Sequence, residues 1–187
     1  MGNVDDHFYI QQIKAGNRQA FTGIVSKYQS KLFTIILKII DNREDAEDIL
    51  QEVFIKVFKS LEQFKGEAEF STWLYRVAYN TTLSELRKRK LVFIPITDKV
   101  STENEPIHES ADELDTEQRL ACLDAALKRL SPEDAFLITL YYLEEKSIDE
   151  ISQISNLSLS NVKVRLYRIR KKLAVEINRL IEDENNR

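Results

Sequence analysis

"SIDEISQISNLSLSNVKVRLYRIRKKL", residues Ser147 to Leu173, holds two helical patterns separated by a short break. Ser147 and Glu150 stand at capping-box spacing, S-x-x-E, which marks a helix start. Ile148, Ile151 and Ile154 then give a short helix one apolar face. Asn156-Leu157-Ser158 reads as a tight turn, and Ser160 is placed to cap a second helix. Val162, Leu166, Ile169 and Leu173 form that helix's buried stripe. A short helix, a short turn and a second helix have helix-turn-helix proportions. The remaining face of the second helix carries one sign of charge: Lys163, Arg165, Arg168, Arg170, Lys171 and Lys172, with no acid between Ser160 and Leu173. Such a helix suits a DNA major groove, with its N-terminal half at base edges and its basic flank on phosphates. A solvated basic helix in an ordinary bundle is the plainer alternative.

Upstream, Ser131-Pro132-Glu133-Asp134 is another helix start, with a capping serine, proline in the first turn and two acids at the positive end of the dipole. Leu120, Leu123, Ala126, Leu127 and Leu130 form an earlier stripe, and Cys122 beside them is expected in the core. Before Glu117 the composition changes. LVFIPITDKVSTENEPIHESADELDT, residues 91–116, holds two of the three prolines. It carries Asp98, Glu103, Glu105, Glu109, Asp112, Glu113 and Asp115 against the single base Lys99. This composition predicts a flexible acidic linker.

Residues 1–90 repeat the helical spacing. Phe8, Ile10, Ile13; Phe21, Ile24, Val25, Tyr28; Leu32, Ile35, Ile36, Ile39; and Ile49, Val53, Phe54, Val57, Phe58, Leu61 each mark one helix face. Lys65-Gly66 breaks the pattern, and Ser71 or Thr72 is placed to cap the helix containing Trp73. That helix carries Phe70, Trp73, Tyr75 and Tyr79 and ends on Arg87, Lys88, Arg89 and Lys90. With Gly 4 and Pro 3 among 187 residues, breakers are scarce and an all-α protein is expected. The expected architecture is two small helical domains, residues 1–90 and 117–187, joined by the linker.

Composition also excludes. One cysteine and two histidines, His7 and His108, leave no disulfide and no zinc ligand set. No phosphate-binding glycine loop, nucleophile elbow or HExxH sequence occurs, so neither an enzyme nor a cofactor is expected. The acidic MGNVDDHFYIQQ start does not resemble a signal peptide, and no apolar run approaches the ~20 residues of a membrane span. A cytoplasmic location without membrane insertion is expected. The net charge of −4 does not oppose DNA binding, because a local patch acts over about 8 Å at physiological salt.

Two segments together resemble the extracytoplasmic-function (ECF) sigma factors. Asp45–Asn80, "DAEDILQEVFIKVFKSLEQFKGEAEFSTWLYRVAYN", is similar to the family's promoter-melting domain. Leu130–Leu173 resembles its helix-turn-helix domain. The resemblance implies that Asp45, Glu47, Asp48, Gln51 and Glu52 dock on core RNA polymerase. It implies a −10 site built from Phe64, Lys65 and Gly66 with Tyr75, Tyr79 and Asn80, and with Arg76, Arg87, Lys88 and Arg89 on phosphates. Unpaired bases there would stack on aromatics and be held by cations. Trp73, at core spacing with Leu74 and Val77, is expected to pack inside, leaving Tyr75, Tyr79 and Asn80 for DNA. At the −35 element the resemblance implies Lys163, Val164, Tyr167 and Arg168 toward bases, Ser160, Asn161 and Arg165 near the backbone, and Lys171 on the same basic flank. Val164 stands where the family has a small polar residue, and Asn156-Leu157-Ser158 replaces its glycine turn. The implied partners are core polymerase, promoter DNA and an anti-sigma factor. A stand-alone helix-turn-helix regulator is the alternative, but it would need neither the acidic helix nor the aromatic one.

Overall fold

The computed structural model describes residues 5–40, 42–89 and 115–185. Every regular element among them is helical. Helix α1 (Asp6–Lys14) starts on Asp5, whose carboxylate accepts from the His7 amide, and buries Ile10 and Ile13. Gly16 closes it at φ 97°, a conformation open to glycine at little cost. Helix α2 (Phe21–Ile39) buries Ile24, Tyr28, Leu32, Ile35 and Ile36 along one stripe. A Cβ on Gly23 would stand 2.2 Å from the Tyr9 ring, so glycine is what lets α1 lie against α2. The Tyr28 hydroxyl donates to Asp6 at 2.6 Å, and Lys27 pairs with the same carboxylate.

Helix α3 (Arg43–Ser60) is capped by Asn42, which accepts from the Asp45 amide. It buries Ala46, Ile49, Val53, Phe54 and Val57. Helix α4 (Phe70–Lys88) follows Glu69, which makes no capping bond. The cap expected from Ser71 or Thr72 is therefore absent, because both hydroxyls lie inside the first turn and find partners elsewhere. Lys146 donates to Ser71 at 3.2 Å, and Thr72 donates to Glu150 at 3.5 Å.

The expected linker lies outside the described residues up to 114. Its last two positions already start a helix: Asp115 forms a capping box with Gln118 at the head of α5 (Thr116–Lys128). Cys122 is buried there against Ile181, whereas Leu120, expected in the stripe, is 57% exposed. Helix α6 (Pro132–Tyr142) is capped by Ser131 and is buried on all sides from Asp134 to Leu140. Helix α7 (Ile148–Ser155) has the Ser147–Glu150 capping box and ends on Asn156 at φ 58°. Helix α8 (Leu159–Asn185) begins a residue before the expected cap. The Ser158 hydroxyl, not Ser160, accepts from the Asn161 amide.

Helix α4 lies between α3 on one side and α7 on the other, while α2 meets α6 and α5 packs on α8. One continuous apolar core runs from Ile10 to Leu173. The two helical halves thus share a buried seam, which explains why so much of α4 is inaccessible.

Candidate nucleic-acid interface

The acidic side of α3 faces solvent. Glu47, Asp48 and Gln51 are exposed, and Asp45 and Glu52 half-buried. Glu47 pairs with Arg43 at 3.0 Å and Glu52 with Lys56 at 3.5 Å, each one helical turn away. Arg89 at the end of α4 folds back to pair with Asp45 and lies 3.6 Å from Asp48. Its charge is therefore spent on α3 rather than offered to a phosphate. Lys88 donates to Glu85 at 2.8 Å, and this hydrogen bond raises the lysine and lowers the carboxyl from their ordinary values.

Helix α4 divides its aromatics differently from the sequence expectation. Tyr75 is 1% exposed and Tyr79 7%. The Tyr75 hydroxyl donates to Glu144 at 2.5 Å. Burial, reinforced by that carboxylate, pushes its pKa far above the usual phenol range. The Tyr79 ring meets Phe136 edge-on at 5.2 Å, and burial raises its hydroxyl too. In this arrangement neither tyrosine is part of an exposed DNA surface. Trp73, expected inside, is half-buried and stacks obliquely with Phe64 at 5.2 Å and Phe70 at 5.7 Å. Arg76 and Asn80 are exposed. Residues 73, 76 and 80 lie on one helix face by the three-and-four rule. The loop ahead of α4 borders it: Lys14 donates to the Phe64 carbonyl at 2.7 Å, Gly66 turns at φ 76°, and Lys65 is exposed. The open face is thus Phe64, Lys65, Trp73, Arg76 and Asn80.

On α8, Ser160, Asn161, Lys163, Val164, Tyr167 and Arg168 are exposed, and Val162, Leu166 and Ile169 are buried beneath them. Val164 is 49% and Tyr167 55% exposed, one helical turn apart on the same face. Half-buried Lys171 sits 5.0 Å over the Tyr167 ring. Arg165, expected near the DNA backbone, instead donates to Asp134 at 2.5 Å, with Lys172 at 3.9 Å from the same carboxylate. Asp134 is nearly buried at the head of α6, so a strong pair fixes α8 on α6. A concavity of about 360 Å³ lies here, lined in part by Asn161, Val164 and Arg168.

The acids and cations of the seam escaped the sequence reading. Glu150 was read only as part of a helix cap, and Glu144 and Lys146 carried no sequence signal at all. Burial pushes the Glu150 carboxyl up, yet hydrogen bonds from Lys146 and Ser147 outweigh it and hold it below its ordinary value. Among the described residues, no cluster is arranged to hold a metal ion, and no helix is long and apolar enough to cross a membrane.

Residues 24–92 match sigma-70 region 2, and residues 120–173 match sigma-70 region 4. The chain is 31% identical over 179 residues to the ECF RNA polymerase sigma factor SigW of Bacillus subtilis, covering 91% of this chain and 96% of that one. It is 30% identical to the ECF RNA polymerase sigma-E factor of Haemophilus influenzae, over 94% and 97% of the two chains. The solved structure of CnrH in complex with the cytosolic domain of CnrY superposes with a TM-score of 0.67 at 22% identity, covering 91% of this chain and 95% of that one, a likeness of fold. The chain belongs to the ECF RNA polymerase sigma-factor family.

Proposed function

We propose that this chain is a promoter-specificity subunit that acts in the cytoplasm by binding and performs no chemistry itself. Asp45, Glu47, Asp48, Gln51 and Glu52 on α3 dock on core RNA polymerase. The −10 strand is taken by the Phe64–Gly66 loop with Arg76 and Asn80, with Arg87 and Lys88 on the backbone. Tyr75 and Tyr79 join this site only when the seam that buries them opens. The −35 duplex is read by Lys163, Val164, Tyr167 and Arg168, with Ser160, Asn161 and Lys171 at its flank; Arg165 positions α8 through Asp134. Residues 1–90 and 117–187 act as the −10 and −35 units, and residues 91–116 tether them.

The observation that carries this reading is the pairing, in one chain, of a basic recognition helix with a second face of aromatic, amide and cation. Duplex binding needs the first alone. Melted DNA needs the second, because splayed bases stack on rings and their edges need hydrogen-bond partners. CnrH is solved with the cytosolic domain of CnrY, and RpoE of Bartonella quintana with the anti-sigma factor NepR. By analogy an anti-sigma factor holds this chain inactive. Run-off transcription with core polymerase tests the proposal. Promoter-dependent transcripts are expected only when the chain is added; tight duplex binding by the chain alone, with no redirected polymerase, would overturn it.

A further inference from the structure

One stripe of α8 is basic yet not wholly offered to solvent. Asn161, Arg165, Arg168 and Lys172 follow one another at three- and four-residue steps, so they share a helix face. All four border the concavity beside the reading face, and Asp134 from the head of α6 lines it too. The Asp134 side chain is only 10% exposed, and two of the stripe's three cations turn to it: Arg165 at 2.5 Å and Lys172 at 3.9 Å. Arg168 stays exposed.

A DNA phosphate and the Asp134 carboxylate are rivals for the same guanidinium, since each accepts charge-assisted hydrogen bonds from it. Burial favours the carboxylate. Drawing both cations away would strand a nearly buried charge, whereas a phosphate in salt water repays little, because counterions screen it. The consequence for recognition follows from what each contact reports. A cation on a phosphate adds affinity for every sequence alike, and base edges supply the discrimination. An acid that keeps two cations off the backbone therefore removes sequence-blind affinity. The same pair ties α8 to α6 and fixes the roll of α8 about its axis. That roll sets where Lys163, Val164, Tyr167 and Arg168 point.

We propose that Asp134 is a specificity-determining residue of the −35 reader: it withholds Arg165 and Lys172 from the DNA backbone and fixes the roll of α8, while touching no base itself. The proposal rests on the sigma reading and deepens the assignment of that same site. Arg165 and Lys172 thus act inside the protein, and the phosphate contacts fall to the cations that Asp134 does not hold.

Salt dependence of DNA binding tests this, because it counts phosphates and is blind to a merely structural role. The full-length chain is titrated onto a mixed-sequence duplex of about 30 base pairs over a range of salt. Asp134→Asn keeps the shape and an acceptor for Arg165 but gives up the charge. It should bind this duplex about tenfold more tightly at moderate salt, with a slope of log affinity against log salt steeper by about one to two. Glu117→Gln makes the same charge change at an exposed position on α5 and should do neither. Arg165→Gln should leave the wild-type slope unchanged; a slope shallower by about one would put Arg165 on a phosphate and overturn the proposal. Equal slopes for Asp134→Asn and Glu117→Gln overturn it as well, as does a lack of binding by every variant at low salt. The second probe is a duplex selected from random sequence by the wild-type holoenzyme, titrated with the holoenzymes. Preference for it over the mixed-sequence duplex should fall about tenfold in Asp134→Asn; an equal gain on both duplexes would make Asp134 a determinant of affinity alone and refute the claim. If the holoenzyme selects no sequence, the sigma reading fails, and the slopes measured on the free chain still decide whether Asp134 withholds the two cations.

Discussion

The Thr82 hydroxyl is fully buried and has no hydrogen-bond partner. An unmet buried hydroxyl is destabilising by about 1–3 kcal/mol. Thr82→Val keeps the shape and removes the unmet group, so it should stabilise the fold by about 1 kcal/mol, read as a higher urea midpoint at unchanged slope. Asn80 carries the opposite expectation, since it is exposed and supports nothing in the fold. Asn80→Ala should leave stability within about 0.5 kcal/mol yet reduce promoter opening more than duplex binding. Permanganate footprinting measures this, and undiminished melting would remove Asn80 from the site. Single residues were also where the sequence misled. Periodicity identified Trp73, Tyr75 and Tyr79 as helical aromatics but not what would cover them. Trp73 packs on the edge of the core beside Phe64 and Phe70 and stays half-open, whereas the tyrosines meet Glu144 and Phe136, residues 57 or more positions away. Pairing across such distances leaves no local trace.

Elements were more legible, because a helix declares itself through spacing and caps. The Ser147–Glu150 capping box, the Ser131-Pro132 start and the Val162–Leu173 stripe all read correctly from sequence, whereas the Asp115–Gln118 box lay hidden in the expected linker. The misplaced caps of α4 and α8 have different causes: at α8 the Ser158 and Ser160 hydroxyls lie 3.1 Å apart and the local turn gives the cap to Ser158, whereas at α4 tertiary partners decided. Ser71 and Thr72 were drawn to Lys146 and Glu150, leaving α4 to begin uncapped. Helix α3 yields a prediction of its own. Its acids lie on the solvent side of a stripe formed by Ala46, Ile49, Val53 and Val57, so charge reversal there disturbs no buried contact. Asp48→Lys with Glu52→Lys should keep wild-type helix content and lose co-purification with core polymerase, a drop of at least tenfold. Unchanged co-purification would displace the docking face from α3.

At the scale of the whole molecule, two sequence units fold onto one core. The two expected helical domains are there, and their apolar faces also meet; nothing in a linker's composition reports whether its ends hold faces that fit each other. Helix α4 is the clue in retrospect. Phe70, Leu74, Tyr75, Ala78, Tyr79 and Leu83 with Thr72, Thr81 and Thr82 are too many buried positions for a helix covered on one side. Helix α6, buried from Asp134 to Leu140, makes the same demand from the other half. A shared core predicts shared unfolding. Trp73 is the only tryptophan and lies in the first half, so its fluorescence reports that half, while far-UV circular dichroism reports both. The two urea transitions of wild type should coincide, as for a two-state unit. Glu144→Lys should separate them, because it weakens the seam while leaving each half its own stripe. Coincident transitions in that variant would mean that the apolar contacts around Phe136 and Tyr79 hold the halves together without the Glu144 contacts to Tyr75 and Lys31, and separate transitions in wild type would mean that the halves never shared a core in solution.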